Sequence, residues 1–366
     1  MLENVQVSCL RNLRAVRCES LERHNILYGT NGSGKTSFLE ALHILGTARS
    51  FRAGPNKSLI THGSDGFLVR GEVRTESSRR SALAVQRSLD GALALRAEGQ
   101  PVTSAAALAD SLPLIVLDAQ SFLLLTGEPA NRRRFLDWGL FHVEHEYRSS
   151  RQRFQRALNQ RNELLRRGKM TKLELDVWSE DLARQGERVS EGRCQVLEKL
   201  KGPFSELISR FAPDLPSIEL SYRRGWDSSI SYREALDKGS VPDLEQGFTH
   251  TGPQRADIRV TVGGYSAAET LSRGQQKLVI SALRLAQGRI LAERNGGNVL
   301  ALVDDLPSEL DASRAENVCR ALADMRVQTV ISCVERDAID LSWLSGPQDC
   351  AMFHVEHGGI EQVMVT

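Results

Sequence analysis

The chain has 366 residues, with 47 Lys and Arg against 46 Asp and Glu and a formal charge of +1. With 41% hydrophobic and 25% charged residues, this balance excludes disorder, a collagen-like repeat and a highly charged tail, and the length suits two domains that need no disulfide framework or metal to fold. Six scattered cysteines without a C-x-x-C pair read as the reduced thiols of a cytoplasmic protein, and no apolar run is long enough for a membrane span.

Strand-like alternation begins at residues 5–16 and an apolar strand follows at residues 26–28. Immediately after it, GTNGSGKT at residues 29–36 matches G-x-x-x-x-G-K-[ST] and opens a helical pattern at residues 37–45. This strand–loop–helix context predicts a phosphate-binding loop. Gly29, Gly32 and Gly34 let successive backbone N–H groups face phosphate oxygens, Lys35 supplies a point charge, and the Thr36 hydroxyl ligates the Mg²⁺ of a bound ATP. Asn31, Ser33 and Ser37 complete this cofactor-binding stretch.

Further alternation at residues 67–74, 82–89 and 114–117 makes the first third mixed α/β. From about residue 131 the pattern changes. Tyr147, Phe154, Leu158 and Leu165, then Trp178, Leu182, Val189, Val196, Leu200, Leu207 and Phe211 after a break at Gly168, fit two long antiparallel helices. Residues 131–170 carry eleven basic against four acidic side chains, a surplus that suits a phosphate backbone or, equally, a solvated helix face balanced from elsewhere. Proline and glycine return at Pro213 and Pro216, and strand patterning resumes at residues 257–262. The helical block therefore reads as an insertion: residues 1–125 with 215–366 form the nucleotide-binding lobe, and 126–214 a basic helical lobe, a candidate DNA contact.

Two later motifs complete the chemistry. LSRGQQK at residues 271–277 precedes an amphipathic helix, so Ser272 and the N–H groups of Arg273, Gly274 and Gln275 crown a helix N-terminus, either as an anion site or as a simple cap. The apolar run VLALV at residues 299–303 delivers Asp304 and Asp305 to the edge of a buried parallel sheet. Asp304 is the expected Mg²⁺ partner, and Asp305 orients or deprotonates the attacking water. Lys35, Asp304 and Asp305 are thus the expected catalytic residues.

Phosphate loop, LSRGQQK and acidic strand, in that order, resemble an ABC-type ATPase head, an α/β fold. Lys35 and Ser272 stand 237 residues apart, too far for a transporter ATPase subunit, while the insertion is too short for the coiled coil of a chromosome-maintenance (SMC) protein. What remains resembles the RecF family of bacterial recombination and gap repair. LRNL at residues 10–13, ARSFR at 48–52, LTGEPANRRRFLD at 125–137 and TGPQRAD at 251–257 are also similar to that family. Gln254 stands where the family pattern has His, and Ser332-Cys333 offers no switch histidine of the transporter kind.

The resemblance implies a head-to-tail homodimer with ATP sandwiched between the loop of one protomer and the signature of the other. It places Arg11 and Asn12 near the nucleotide, Gln120 near the metal, and Asp311 between the two sites. It also implies slow, DNA-dependent ATP hydrolysis and the loading of RecA on gapped DNA with RecO and RecR. The alternative is a nucleotide-gated adaptor of the SMC class with little turnover.

Finally, FHVEH occurs at residues 141–145 and again at 353–357. The unlike surroundings argue against one metal geometry in both copies. A DNA-level origin accounts for the repeat: the codons TTC-CAC-GTG-GAA-CA complete the palindrome TGTTCCACGTGGAACA, which resembles a centromere-like parS sequence.

Overall fold

The computed structural model describes residues 1–52, 54–74, 80–143, 145–168 and 171–365. The chain divides into two compact units: Met1–Phe122 with Leu207–Pro213 and Lys277–Thr366, and Leu123–Glu206 with Asp214–Gln276. In chain order the strands begin with β1 (Leu2–Leu10), β2 (Leu13–Cys18), β3 (His24–Tyr28), β4 (Gly66–Arg74), β5 (Arg80–Ser88), β6 (Leu93–Ala97), β7 (Gln100–Val102) and β8 (Leu114–Leu117). They continue with β9 (Ile218–Arg223), β10 (Asp257–Val262), β11 (Tyr265–Ser266), β12 (Leu300–Val303), β13 (Gln328–Cys333), β14 (Cys350–Glu356) and β15 (Gly359–Val363).

The first unit contains two six-stranded sheets. One, β2-β1-β4-β5-β6-β7, is antiparallel throughout. Its strands alternate because only one face is buried: Val69 and Val73 of β4 and Leu83 and Val85 of β5 point into the core. The other sheet runs β15-β14-β3-β13-β12-β8, parallel from β14 to β8 with β15 antiparallel at the edge. Every residue of β12 and β13 is buried, as expected of a parallel sheet covered on both faces.

Helix α1 (Lys35–Thr47) follows the loop after β3. Its Phe38, Leu39, Leu42 and Leu45 share one cluster with Leu2, Val5 and Val7 of the antiparallel sheet and Leu27, Leu302 and Val330 of the parallel one. Such burial, roughly 1.5–3 kcal/mol per large apolar side chain, fixes the direction in which α1 leaves the phosphate loop. The single strand expected at residues 5–16 is instead the hairpin β1–β2, turning at Arg11 and Asn12. Val5, Val7, Cys9, Leu13 and Ala15 keep one parity in the sequence on both sides of the turn, and Arg-Asn is not the usual turn pair, so the reversal is hard to read from the pattern.

In the second unit, helices Pro129–Val143, His145–Arg167 and Lys172–Phe211 dominate, the last extending into residues counted with the first unit. The two longest run antiparallel. A Cβ on Gly192 would lie 3.4 Å from Tyr147 and one on Gly186 3.3 Å from Phe154, while Arg161 Nε donates to Ser179 Oγ at 3.1 Å. As one helix advances by sevens the other recedes by six or seven, the signature of a heptad seam.

The expected boundary at residue 214 is corrected: residues 215–276, assigned from sequence to the nucleotide-binding lobe, belong to the helical unit. They contribute the antiparallel sheet β11-β10-β9 and the short helices Tyr232–Lys238 and Ser240–Gln246. The physical reason is buried charge. Arg132 pairs with Asp257 at 2.7 Å, Arg161 with Asp243 at 2.7 Å, and Arg193 Nη1 donates to the carbonyl of Pro253 at 2.7 Å. Guanidinium groups in the helical seam would be strongly destabilising without these partners.

The two FHVEH copies adopt different backbones. Phe141–Val143 closes a helix, Glu144 lies outside the described residues, and Phe353–Glu356 forms the end of β14. Among the described residues no helix is long and apolar enough to cross a membrane.

Candidate nucleotide-binding site

At the C-terminal edge of the parallel sheet, β3 runs directly into the loop of residues 29–34. Gly29 has φ +153°, and a Cβ there would sit 2.2 Å from the carbonyl oxygen of Val355, so β14 and the loop pack backbone to backbone. Gly34, at φ +125°, caps α1 without any side-chain hydrogen bond, leaving the first N–H donors of that helix for an anion. Gly358 N–H donates to the carbonyl of Ser33 at 2.8 Å, a brace from the C-terminal hairpin that no local pattern announces.

Lys35 is buried, 6% exposed, yet among the described residues its ammonium donates only to carbonyls of its own loop: Gly29 at 2.7 Å and Thr30 at 3.0 Å. Ser33 Oγ is buried without a partner, and a Cβ on Gly32 would meet nothing within 4 Å. An open cradle holding an orphaned hydroxyl and a replaceably held ammonium fits phosphate. Asn31 is exposed at the rim. Asn12 Nδ2 donates to the Gly32 carbonyl at 3.2 Å and its Oδ1 accepts from Ser37 Oγ at 2.8 Å, so Asn12 and Ser37 hold the shape of the loop.

Thr36 Oγ1 donates to Asp304 Oδ1 at 3.0 Å. The same carboxylate oxygen accepts from Ser332 Oγ, at the end of β13, at 2.8 Å. Burial raises the Asp304 carboxyl above the usual carboxylate range, against the lowering effect of the Ser332 and Thr36 hydrogen bonds. A hydroxyl and a carboxylate side by side are hard oxygen donors suited to Mg²⁺ completed by phosphate oxygens. Asp305 adopts the left-handed conformation, φ 53° and ψ 48°, which costs a non-glycine residue on the order of 1 kcal/mol. Its N–H donates to Ser332 Oγ at 2.8 Å and its carbonyl accepts from Ser308 Oγ at 2.9 Å, contacts that hold it there.

The remaining expected residues divide. Gln120 follows β8, which pairs in register with β12 (Leu117 opposite Val303), so it leaves the sheet beside Asp304; it is exposed. Arg11 does not reach out toward the cradle: its guanidinium grips the fully buried Glu40 at 2.9 and 3.0 Å and donates to the Ser58 carbonyl at 2.9 Å. Ser50 also donates to Glu40, so the ARSFR stretch and the hairpin turn are both tied to α1. In the second unit, Ser272 and Gln275 form a reciprocal cap. Ser272 N–H donates to Gln275 Oε1 at 2.9 Å, and Gln275 N–H donates to Ser272 Oγ at 3.3 Å. Arg273 is exposed, Gly274 half-buried, and Asp311 caps the helix Ala312–Asp324.

The basic surplus of residues 131–170 is smaller at the surface than in sequence. Arg132 and Arg161 are consumed by the buried pairs above, Arg148 lies over the Phe141 ring, Arg151 meets Asp137 at 3.4 Å, and Arg167 pairs with Glu163. Arg134, Arg153, Arg156 and Arg166 are exposed, and Lys169 lies outside the described residues.

Phosphate loop, acid pair after a parallel strand of the same sheet, and a signature serine at a helix N-terminus define an ATPase head of the ABC type. The chain belongs to the RecF/RecN/SMC N terminal domain family, which it matches over residues 1–352. It is 45% identical over 363 residues to the DNA replication and repair protein RecF of Stutzerimonas stutzeri (strain A1501), covering 99% of this chain and 97% of that protein. Among solved structures it is similar to the recombination mediator protein RecF-ATP of the RecFOR pathway, with a TM-score of 0.87 at 25% identity, covering 99% of this chain and 97% of that one. An Smc head bound to the C-winged helix domain of ScpA shares the fold at a TM-score of 0.58 and 15% identity, over 100% of this chain and 97% of that one.

Proposed function

We propose that the chain is an ATP-gated DNA clamp of recombinational repair, cytoplasmic, acting as a homodimer closed by ATP. The observation that carries this reading is the Thr36–Asp304 hydrogen bond beside a buried Lys35 held only by loop carbonyls. Lys35 exchanges those carbonyls for phosphate oxygens, Gly32, Gly34 and Ser33 line the phosphates, and Thr36 with Asp304 holds Mg²⁺. The metal, when bound, neutralises charge between the phosphates. Asp305 orients the attacking water, and its carboxylate, one methylene shorter than a glutamate, suits slow turnover.

The cradle is open on one side, so a second protomer presenting Ser272 and Gly274 is needed to surround the γ-phosphate. ATP binds the closed dimer better than the open monomers, and hydrolysis therefore reverses closure. DNA is held through its phosphates by Arg153, Arg156 and neighbouring exposed arginines, without base reading. By family likeness, to proteins named for the RecFOR pathway, the released and reclosed clamp helps load RecA at gaps with RecO and RecR.

The decisive experiment is the mass of the protein in solution with no nucleotide, ADP or ATP, each with and without DNA. Doubling only with ATP is expected; an unchanged mass would reduce Ser272 to its capping role and leave the nucleotide-gated adaptor. Ser272→Asp separates the two roles, because aspartate still caps a helix but sets a negative charge against phosphate. It should keep ATP binding and lose dimerisation.

A further inference from the structure

β13 lies between β3, which delivers the phosphate loop, and β12, which delivers the acid pair. At its end stands Ser332, fully buried, with no histidine beside it. Its single hydroxyl proton goes to Asp304 Oδ1 at 2.8 Å and its oxygen accepts the Asp305 N–H at 2.8 Å. Asp304 Oδ1 in turn accepts from Thr36 at 3.0 Å. One hydroxyl thus joins three things: the side chain of Asp304, the left-handed backbone of Asp305, and, through Asp304, the start of α1.

We propose that Ser332 is the positioning residue of hydrolysis, transmitting the seating of nucleotide at Thr36 to the carboxylate of Asp305. The inference rests on the ATP turnover proposed above. Ser332 acts through its neighbours. Asp304 has two hydroxyl donors, one on the mobile side of the reaction at the loop and one on the sheet; only the sheet donor also holds Asp305. When Thr36 turns toward nucleotide, Ser332 is the contact that keeps Asp304 in place, and the Asp305 backbone follows whatever position Asp304 takes. Without the hydroxyl, Asp305 N–H loses its acceptor and the left-handed turn loses a tie, while the loop, Lys35 and the cap of α1 are untouched.

The test compares Ser332→Ala and Ser332→Thr with the natural chain in three measurements: affinity for a non-hydrolysed ATP analogue with Mg²⁺, mass with ATP, and steady-state turnover with DNA. Ser332→Ala should bind the analogue within about threefold and still double in mass, but lower kcat by about tenfold or more, and Ser332→Thr should restore kcat to within about threefold. Turnover of Ser332→Ala equal to that of the natural chain would overturn the inference. So would a loss of analogue binding as large as the loss of kcat, which would make Ser332 a support of the pocket rather than of the water-activating carboxylate. Absence of turnover in the natural chain would sink the hydrolysis reading itself and this inference with it, and is distinguished by the steady-state rate of the natural chain alone.

Discussion

In the second unit the buried cations are fully engaged. Arg161, 1% exposed, meets Asp243 and Thr249 at 2.7 and 2.6 Å, and Arg193, 2% exposed, grips Asp137 through two nitrogens at 2.7 and 2.9 Å. Burial alone would raise the Asp137 carboxyl, but Arg193 holds it below the usual range. In the first unit Lys35 is buried, pairs with no carboxylate among the described residues, and rests on two carbonyls of its own loop, beside an orphaned Ser33 hydroxyl. The difference teaches which charges hold the fold and which wait for a ligand. A buried charge with matched partners stabilises one arrangement; one with weak, exchangeable partners is free to change them.

This contrast breaks most easily at Arg161. Arg161→Met should strip the fully buried Asp243 of its cation and destabilise the second unit by about 3–5 kcal/mol, with ATP binding kept in the cold. Three of the four tryptophans (Trp138, Trp178 and Trp226) lie in that unit, so urea unfolding followed by fluorescence reports it. Equal loss of ATP affinity would erase the distinction between the units. The converse is Lys35→Ala, which should weaken ATP binding by about a hundredfold while changing unfolding stability little, since charge-assisted contacts to phosphate rather than to the fold are lost. A variant that unfolds as readily as it loses ATP would place Lys35 with the structural cations.

A third effect separates the units by pH. His24 and His43, both in the first unit, are pushed down to about 4, His43 by burial and His24 by burial and the nearby Arg23. Between their ordinary value and that lowered one, the unfolded chain binds more protons than the folded chain. Stability therefore falls as pH drops through this window, by about 1.4 kcal/mol per pH unit for each histidine, and is fully present above it. Chemical unfolding of His43→Gln at several pH values should show a shallower acid loss; an unchanged slope would mean that His43 charges inside the fold. The smallest effect concerns the surface: Arg153→Gln and Arg156→Gln should each reduce the salt dependence of DNA affinity by about one contact, with no change in stability. An unaltered slope would move the DNA contact off this helix.

Legibility followed the range of the interactions. The glycine loop before α1, the Ser272 cap and the position of Asp304 and Asp305 after β12 are legible as local structure because each is set by a few consecutive residues whose backbone chemistry is local. The roles of Arg11 and of the basic run were not. Arg11 was expected near nucleotide, but Glu40, twenty-nine residues on, captures its guanidinium, and no local pattern announces such a pair. Arg132 and Arg161 counted toward a nucleic-acid surface until Asp257 and Asp243, more than eighty residues away, were found beside them. Ser332 drew notice only for the histidine missing next to it, although a polar residue ending a fully buried strand was the available signal. Phe141–Val143 of one FHVEH copy is helical and Phe353–Glu356 of the other is strand, so the repeat is no unit of structure, which leaves the DNA-level reading of its origin open to coding-strand sequencing.

By itself the sequence determined the order of the motifs along the chain, the α/β head with an inserted helix pair, and the glycine-rich loop that opens α1, because periodicity and loop composition act over a few residues. Tertiary structure alone decided that residues 214–276 fold with the helices, that Arg132 and Arg161 of the basic run pair with Asp257 and Asp243, and that one serine hydroxyl links Asp304 to Asp305. Each of those depends on groups far apart in the chain meeting where water is excluded, and there an unmatched charge or hydrogen-bond donor is too unfavourable to persist.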